Sequence, residues 1–294
     1  MKRILKLTTI FLFFSIILLF GIAYYFSGMV LYPKVRCNPD HHVYCKGPKE
    51  LNLAYEEVTI TTEDKLNLVS YWIPTKPSKG SILMVHGHGG QRNEGLRFAK
   101  SLHEAGYNLL LLSLRRNHGG YATMGGLEQK DVNAALQFLL VKGETKIGIF
   151  GFSMGSATSI IAMANHPEIK AGLFSSGYAS AMDVLIESAK RDFGIPYYPL
   201  IPVVKLVLDL RSGIDMDSVR PIDSIANIHP RPIAIFHCQM DDYVDYHHAT
   251  DLYARAKDPK RLWAPECKKH EQIWNFNPKG AEKRSVDFFT MYLK

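Results

Sequence analysis

What this chain lacks narrows the reading first. It has no G-x-x-x-x-G-K-[ST] segment, so nothing supports a phosphate-cradling loop. Its 35 Lys+Arg against 28 Asp+Glu give a net charge of +7, but no dense basic run with interleaved aromatics accompanies that excess. The basic balance therefore reads as a solvated surface beside anionic lipid, and no nucleic-acid partner is expected. Only one apolar run is long enough to cross a bilayer, which excludes a polytopic membrane protein. Internal repeats and low-complexity tracts are missing as well. His86-Gly87-His88 has no compact set of further ligands in sequence, so no metal and no cofactor is expected. Cysteines are few. Their even number, four, permits two disulfides in an oxidising compartment.

What remains is an ordinary globular composition, 47% hydrophobic and 21% charged over 294 residues, enough for one large α/β domain or two small ones. Lys2, Arg3 and Lys6 precede an apolar run over 7–31 that no charge interrupts. Two readings compete for it. Gly21-Ile22-Ala23 offers a signal-peptidase site, after which the remainder is secreted. Apolar character nevertheless continues through Met29, Val30 and Leu31, with Tyr24, Tyr25 and Tyr32 suited to an interfacial belt, so length favours an uncleaved anchor. The basic residues at 2–6 keep that end cytoplasmic, and either reading exports the rest. In the following linker, 32–54, Cys37 and Cys45 flank Asn-Pro-Asp and form either a small disulfide loop or two thiols.

From residue 55 the pattern is regular. Glu57–Thr61 and Leu66–Ile73 read as an antiparallel hairpin. Buried strands then alternate with helices: Ile82–Val85 and Gln91–Ala105, Asn108–Leu114 and Glu128–Val141, Lys146–Phe150 and Ser153–Asn165, then the strand Ala171–Phe174. The strand Pro232–His237, a helix over Tyr246–Lys257, the strand Arg261–Ala264 and a helix over Lys279–Leu293 follow. This is an α/β class: a mostly parallel sheet with antiparallel first strands and helices on both faces. The stretch 178–230 is too long for a connection and reads as a cap inserted between body segments 55–177 and 231–294.

Gly151-Phe152-Ser153-Met154-Gly155 carries the most information. It follows a strand and opens a helix, where a sharp elbow lifts a serine hydroxyl above the sheet edge beside the helix dipole. The bland alternative is a tight turn with an idle serine. A serine needs a base to take its proton, and the base needs an orienting acid. Asp241, in His-x-x-x-Asp-x-x-Val after the strand ending at His237, is the acid, with Asp242 as fallback. His270, past the last strand, is the base, while His247 and His248 fall in a helix and read as solvated face or packing. His86-Gly87-His88-Gly89-Gly90 lies where the second oxyanion donor belongs, which assigns the oxyanion site to the N–H groups of His88 and Met154.

Together, H-G-H-G-G, G-F-S-M-G, H-x-x-x-D-x-x-V and the late histidine resemble the α/β-hydrolase superfamily over about residues 55–294. Within it the chain resembles membrane-anchored serine hydrolases of the serine-aminopeptidase-like and BEM46-like groups. The nucleophile motif is specific for the superfamily; no motif is specific for a substrate. Two positions depart from the pattern: Ser113-Leu114-Arg115 stands where relatives often carry Asp-x-Arg, and Cys238 where they usually carry Gly. The second departure suggests a Cys238–Cys267 disulfide tying the acid loop to the base loop, with two buried thiols as the alternative. The resemblance implies a serine hydrolase with the α/β-hydrolase fold that acts on a small acyl substrate: an ester or thioester first, a short peptide second. Apolar residues over Phe193–Leu210 would line an acyl pocket or merely pack the cap; Asp183, Glu187 or Arg191 would serve a peptidase as recognition charges. A non-catalytic, membrane-tethered binding module is the reading from another class.

Overall fold

A computed structural model describes residues 1–35, 45–270 and 273–294. The proposed Cys37–Cys45 pair lies outside the described residues at Cys37. The chain opens with α1 (Lys2–Leu31), which among the described residues is the one helix long and apolar enough to cross a membrane.

Strands β1 (Glu56–Thr61) and β2 (Asn67–Ile73) form the antiparallel hairpin, with Glu56 opposite Trp72 and Thr61 opposite Asn67. The βα alternation follows through β3 (Ser81–Val85), α2 (Leu96–Glu104), β4 (Asn108–Leu112), α3 (Glu128–Val141), β5 (Ile147–Phe152), α4 (Met154–Asn165) and β6 (Ile169–Ser175). Then come α5 (Ala181–Phe193), α6 (Leu200–Ser212) and the short α7 (Pro221–Ser224). The chain closes with β7 (Ile233–Phe236), α8 (Tyr246–Arg255), β8 (Lys260–Trp263), the one-turn α9 (Ile273–Phe276) and α10 (Pro278–Tyr292). The eight strands form one sheet in the order β1-β2-β4-β3-β5-β6-β7-β8; β1–β2 and β2–β4 are antiparallel and every other pair is parallel.

β3, β4 and β5 are buried along their whole length, as a parallel sheet covered on both faces demands. Leu83, Leu110 and Ile149 pack under α3 and α4, while Ile82, Leu109 and Phe150 pack under α2 and α10. A third apolar cluster (Leu31, Met182, Ile201, Leu208 and Met216) joins the end of α1 to the segment between β6 and β7.

The structure shortens two elements relative to the sequence pattern. β4 ends at Leu112, because the next two N–H groups leave the ladder: Ser113 donates to Ser70 Oγ (3.1 Å) and Leu114 to His86 Nε2 (3.0 Å). α2 begins at Leu96 rather than Gln91, after a 3-10 turn over Arg92–Gly95 that buries Glu94. The segment read only as an insertion contains two full helices, α5 and α6, each ending on a left-handed glycine, Gly194 (φ +64°) and Gly213 (φ +74°).

Candidate active site

Ser153 sits between β5 and α4 with φ +49° and ψ −117°, a conformation L-residues avoid and that costs about 1–3 kcal/mol. The turn requires its glycines for space. A Cβ on Gly155 would lie 2.1 Å from the Val85 carbonyl oxygen, and one on Gly151 2.3 Å from that of Gly155. The Ser153 N–H donates to the Ser175 carbonyl (2.8 Å), which fixes the elbow to the end of β6.

The Ser153 hydroxyl lies 2.9 Å from His270 Nε2, and His270 Nδ1 lies 2.9 and 3.0 Å from the two Asp241 oxygens. Asp241 Oδ1 also accepts the Tyr243 and Val244 N–H groups, each at 2.9 Å. Burial acts to raise the Asp241 carboxyl, but the hydrogen bond with His270 and these backbone N–H donors hold it below its ordinary value. An ionised Asp241 keeps the His270 proton on Nδ1 and leaves Nε2 as the acceptor facing the hydroxyl. Asp242, the fallback acid, does something else: its Oδ1 accepts the backbone N–H of His270 (2.9 Å) and steadies the base loop.

Cys238 and Cys267 are joined in a disulfide across the same two loops, whose backbones also bond through Gln239 N–H to the Pro265 carbonyl and Met240 N–H to that of Cys267, both 3.0 Å. His237 Nε2 donates to the Val244 carbonyl (2.9 Å), and burial lowers its pKa so that it stays neutral.

On the opposite side, His86 Nε2 accepts the Leu114 N–H, so its Nδ1 carries the proton given to the Gly87 carbonyl (2.8 Å). Gly87 N–H is taken by the buried Glu94 carboxylate (2.7 Å), itself paired with Arg97 (2.7 Å). The neighbouring His88 N–H has no acceptor among the described residues, and Met154 opens α4, so its N–H has none within the helix. A cleft of about 470 Å³ is lined by Gly87–Gly90, Glu94, Ser153, Asp242, Tyr243 and His270.

Glu94 and Tyr243 escape a sequence reading. The carboxylate sits where a helix pattern predicts solvent, and the tyrosine occupies an unspecified position of the His-x-x-x-Asp-x-x-Val segment. A further grouping is equally unannounced: ligand atoms of Glu187, His247 and His248 lie within 4.8 Å of one another. His248 Nδ1 accepts the Ala179 N–H (3.2 Å), so its Nε2 carries the proton shared with Glu187 Oε2 (3.0 Å) and faces the carboxylate as a donor. His247 reaches Glu187 Oε1 at 2.8 Å, and Arg191 donates to the Tyr243 carbonyl (2.7 Å) with its guanidinium over the Tyr243 ring. Glu187 and Arg191 therefore fasten α5 to α8 and to the acid loop, and Asp183 is exposed in the first turn of α5.

Beside the cleft a second cavity of about 170 Å³ lies between α5, α6 and the last turns of α1, and its lining shares His88 and Tyr243 with the cleft.

No family model matches the chain. It is 25% identical over 279 residues to the uncharacterized protein YqkD of Bacillus subtilis, covering 90% of each. It is 28% identical over 151 residues to protein bem46 of Schizosaccharomyces pombe, covering 47% of this chain and 49% of that one. Among solved structures, the Pyrococcus furiosus esterase Pf2001 superposes with a TM-score of 0.71 at 24% identity, over 90% of this chain and 98% of that one. The fold is that of the α/β hydrolases, and bem46 is among the relatives, in line with the resemblance drawn from the motifs.

Proposed function

We propose that the chain is a serine hydrolase that cleaves carboxylic ester or thioester bonds of acyl substrates, held at a membrane by α1 with its body on the exported side. The observation that carries the reading is His270, whose two ring nitrogens lie at 2.9 Å from the Ser153 hydroxyl and from the Asp241 carboxylate. The fold shared with an esterase supports it.

In the proposed reaction, Ser153 Oγ attacks the acyl carbon as His270 Nε2 takes its proton, and Asp241 stabilises the resulting imidazolium. The carbonyl oxygen becomes an oxyanion facing the His88 and Met154 N–H groups, where the α4 dipole adds to its stabilisation. Collapse breaks the bond to the leaving alcohol or thiol, which receives the proton from Nε2. A water then repeats the sequence on the acyl-serine: it gives its proton to Nε2, and Ser153 recovers one as the carboxylic acid leaves.

Esters are favoured over peptides because Glu187 and Arg191 are spent on fastening α5 and are not free to greet a peptide terminus. The cavity beside the cleft is walled mainly by apolar side chains.

A fluorophosphonate probe on the full-length protein in detergent, read by peptide mapping, tests the assignment. One adduct on Ser153 is expected, absent in Ser153→Ala and at least about a hundredfold slower in His270→Ala. An adduct elsewhere, or none on folded protein, overturns it.

A further inference from the structure

We propose that α1, having crossed the membrane, supplies one wall of the acyl-chain site, so that Phe26, Met29 and Val30 set the length of acyl chain accepted, and that this chain is drawn from a lipid of the same bilayer. The inference rests on the hydrolase reading above and names its substrate class.

The length of α1 is the starting point. Thirty residues at about 1.5 Å each span about 45 Å, whereas about 20 residues and 30 Å suffice for the hydrocarbon core. Roughly ten residues are left over, and the burial pattern shows where they go. Through Phe20 the large apolar side chains of α1, the half-buried Leu19 excepted, are exposed, as a lipid-facing helix requires. From there the pattern changes: Ala23, Ser27 and Leu31 are fully buried at a spacing of four, one face of a helix laid against protein.

Polar ties fix that docked end. Arg211 of α6 donates to the Tyr24 carbonyl (2.8 Å) and to Ser27 Oγ (2.6 Å), with its guanidinium 3.9 Å from the Tyr24 ring centroid. A guanidinium at this level places it in the headgroup region rather than in hydrocarbon. Two last-turn carbonyls that have no intrahelical donor are satisfied by the body: Val30 by His88 Nε2 (2.7 Å) and Leu31 by Ala122 N–H (2.8 Å). The anchor thereby bonds the side chain of the residue whose N–H faces the proposed oxyanion.

The cavity of about 170 Å³ closes this arrangement. Phe26, Met29 and Val30 form its α1 wall, and Leu185, Ile201 and Val204 line the facing side. His88 and Tyr243 belong to both this cavity and the Ser153 cleft, so an acyl carbonyl at Ser153 directs its chain past them into the apolar space. The membrane as source follows from the outer rim. Phe193 stacks edge-on against Phe26, and Tyr198 (74% exposed), Leu206 and Leu210 (75% exposed) leave apolar surface on the cap beside α1, where the helix emerges from the bilayer. A lipid chain can pass from bilayer to cavity along α1 without crossing water.

The test uses full-length protein and ethyl, octyl and hexadecyl fluorophosphonates, scored as the rate of Ser153 labelling. Each methylene buried is worth about fourfold, so with three to four of the six extra methylenes seated in the cavity the wild type labels roughly a hundredfold faster with octyl than with ethyl. Met29→Trp fills the cavity from the anchor and Leu185→Trp from the cap; each is expected to cut that ratio to below about fivefold. A ratio that both folded variants keep overturns the inference while Ser153 labelling upholds the hydrolase reading. No Ser153 adduct with any probe overturns both. The source is read in proteoliposomes carrying a fluorogenic diacyl lipid: hydrolysis that falls in step in the two variants supports the bilayer route. Hydrolysis of micellar esters alone, with the vesicle lipid untouched, overturns it.

Discussion

Around Ser153 the loops are tied largely through backbone groups. The elbow is held by a β6 carbonyl, Asp241 by two N–H groups, the base loop by ladder-like bonds and a disulfide, and the Gly87 loop by a buried carboxylate. The segment between β6 and β7 is tied to α1, α8 and the acid loop more by side chains: an apolar cluster around Leu31, the arginine ties of Arg211 and Arg191, and the Glu187 pair with two histidines. Backbone-set geometry tolerates little displacement and suits proton transfer over 2.9 Å. Side-chain-set geometry can be resized by single substitutions without disturbing the sheet, which suits the selection of a chain length.

The largest effect should come from the backbone-set region. Asp241→Asn preserves shape and both N–H bonds in outline but removes the charge that fixes the His270 tautomer. The kcat for a short ester is expected to fall about a thousandfold to ten-thousandfold with little change in KM. Steady-state kinetics in detergent decide it; a loss under tenfold would mean that Asp242 or another group orients the base.

Next is the bridge between the two loops. Removing a crosslink that spans 29 residues costs about 3–4 kcal/mol on loop entropy alone, which lowers Tm by about 10 °C at this size. Cys238→Ala/Cys267→Ala should show that fall in a thermal scan yet keep kcat within about tenfold, since the hydrogen bonds from Gln239 and Met240 still join the loops. A collapse of kcat with no change in Tm would show that the bridge sets geometry rather than stability.

The same contrast explains what the sequence makes legible. The sheet can be read because β3, β4 and β5 are continuous apolar runs. The Ser153 elbow can be read because only glycine fits beside the Val85 and Gly155 carbonyls. Acid and histidine are found from chain order and from their places after β7 and β8. The segment between β6 and β7 is legible only as an interruption. Its two helices and their partners depend on contacts between residues far apart, Arg211 with Tyr24 and Glu187 with His247 and His248, which no local period encodes. Glu94 is hidden for a related reason: a carboxylate in a helix-like stretch reads as solvated until the Gly87 N–H is seen to need it. Leu31 reads as the last residue of an apolar run, and nothing in the run distinguishes its exposed first part from the part packed against protein.

The smallest effect probes how α5 is fastened to α8. Burial acts against a charge on His247, but its hydrogen bonds to Glu187 (2.8 Å) and Asp251 (3.3 Å) outweigh that and raise its pKa above the ordinary value. His248, enclosed beside it, is shifted the other way by burial and stays neutral. A raised histidine pKa means that the folded state holds the proton more tightly than the unfolded chain. The stabilisation is therefore full below the ordinary pKa near 6.5 and is lost as pH rises through the higher folded value. Both partners of the pair are partly exposed, so solvent screens it, and the expected size is about 1–2 °C in Tm. The wild type should exceed His247→Gln by that margin in mildly acidic buffer and match it in mildly alkaline buffer, with differences between the two proteins cancelling the other titrations. A gap that does not change with pH would assign the fastening of α5 to Arg191 and to the neutral His248–Glu187 bond, leaving α5 joined to α8 and the acid loop by contacts that pH does not touch.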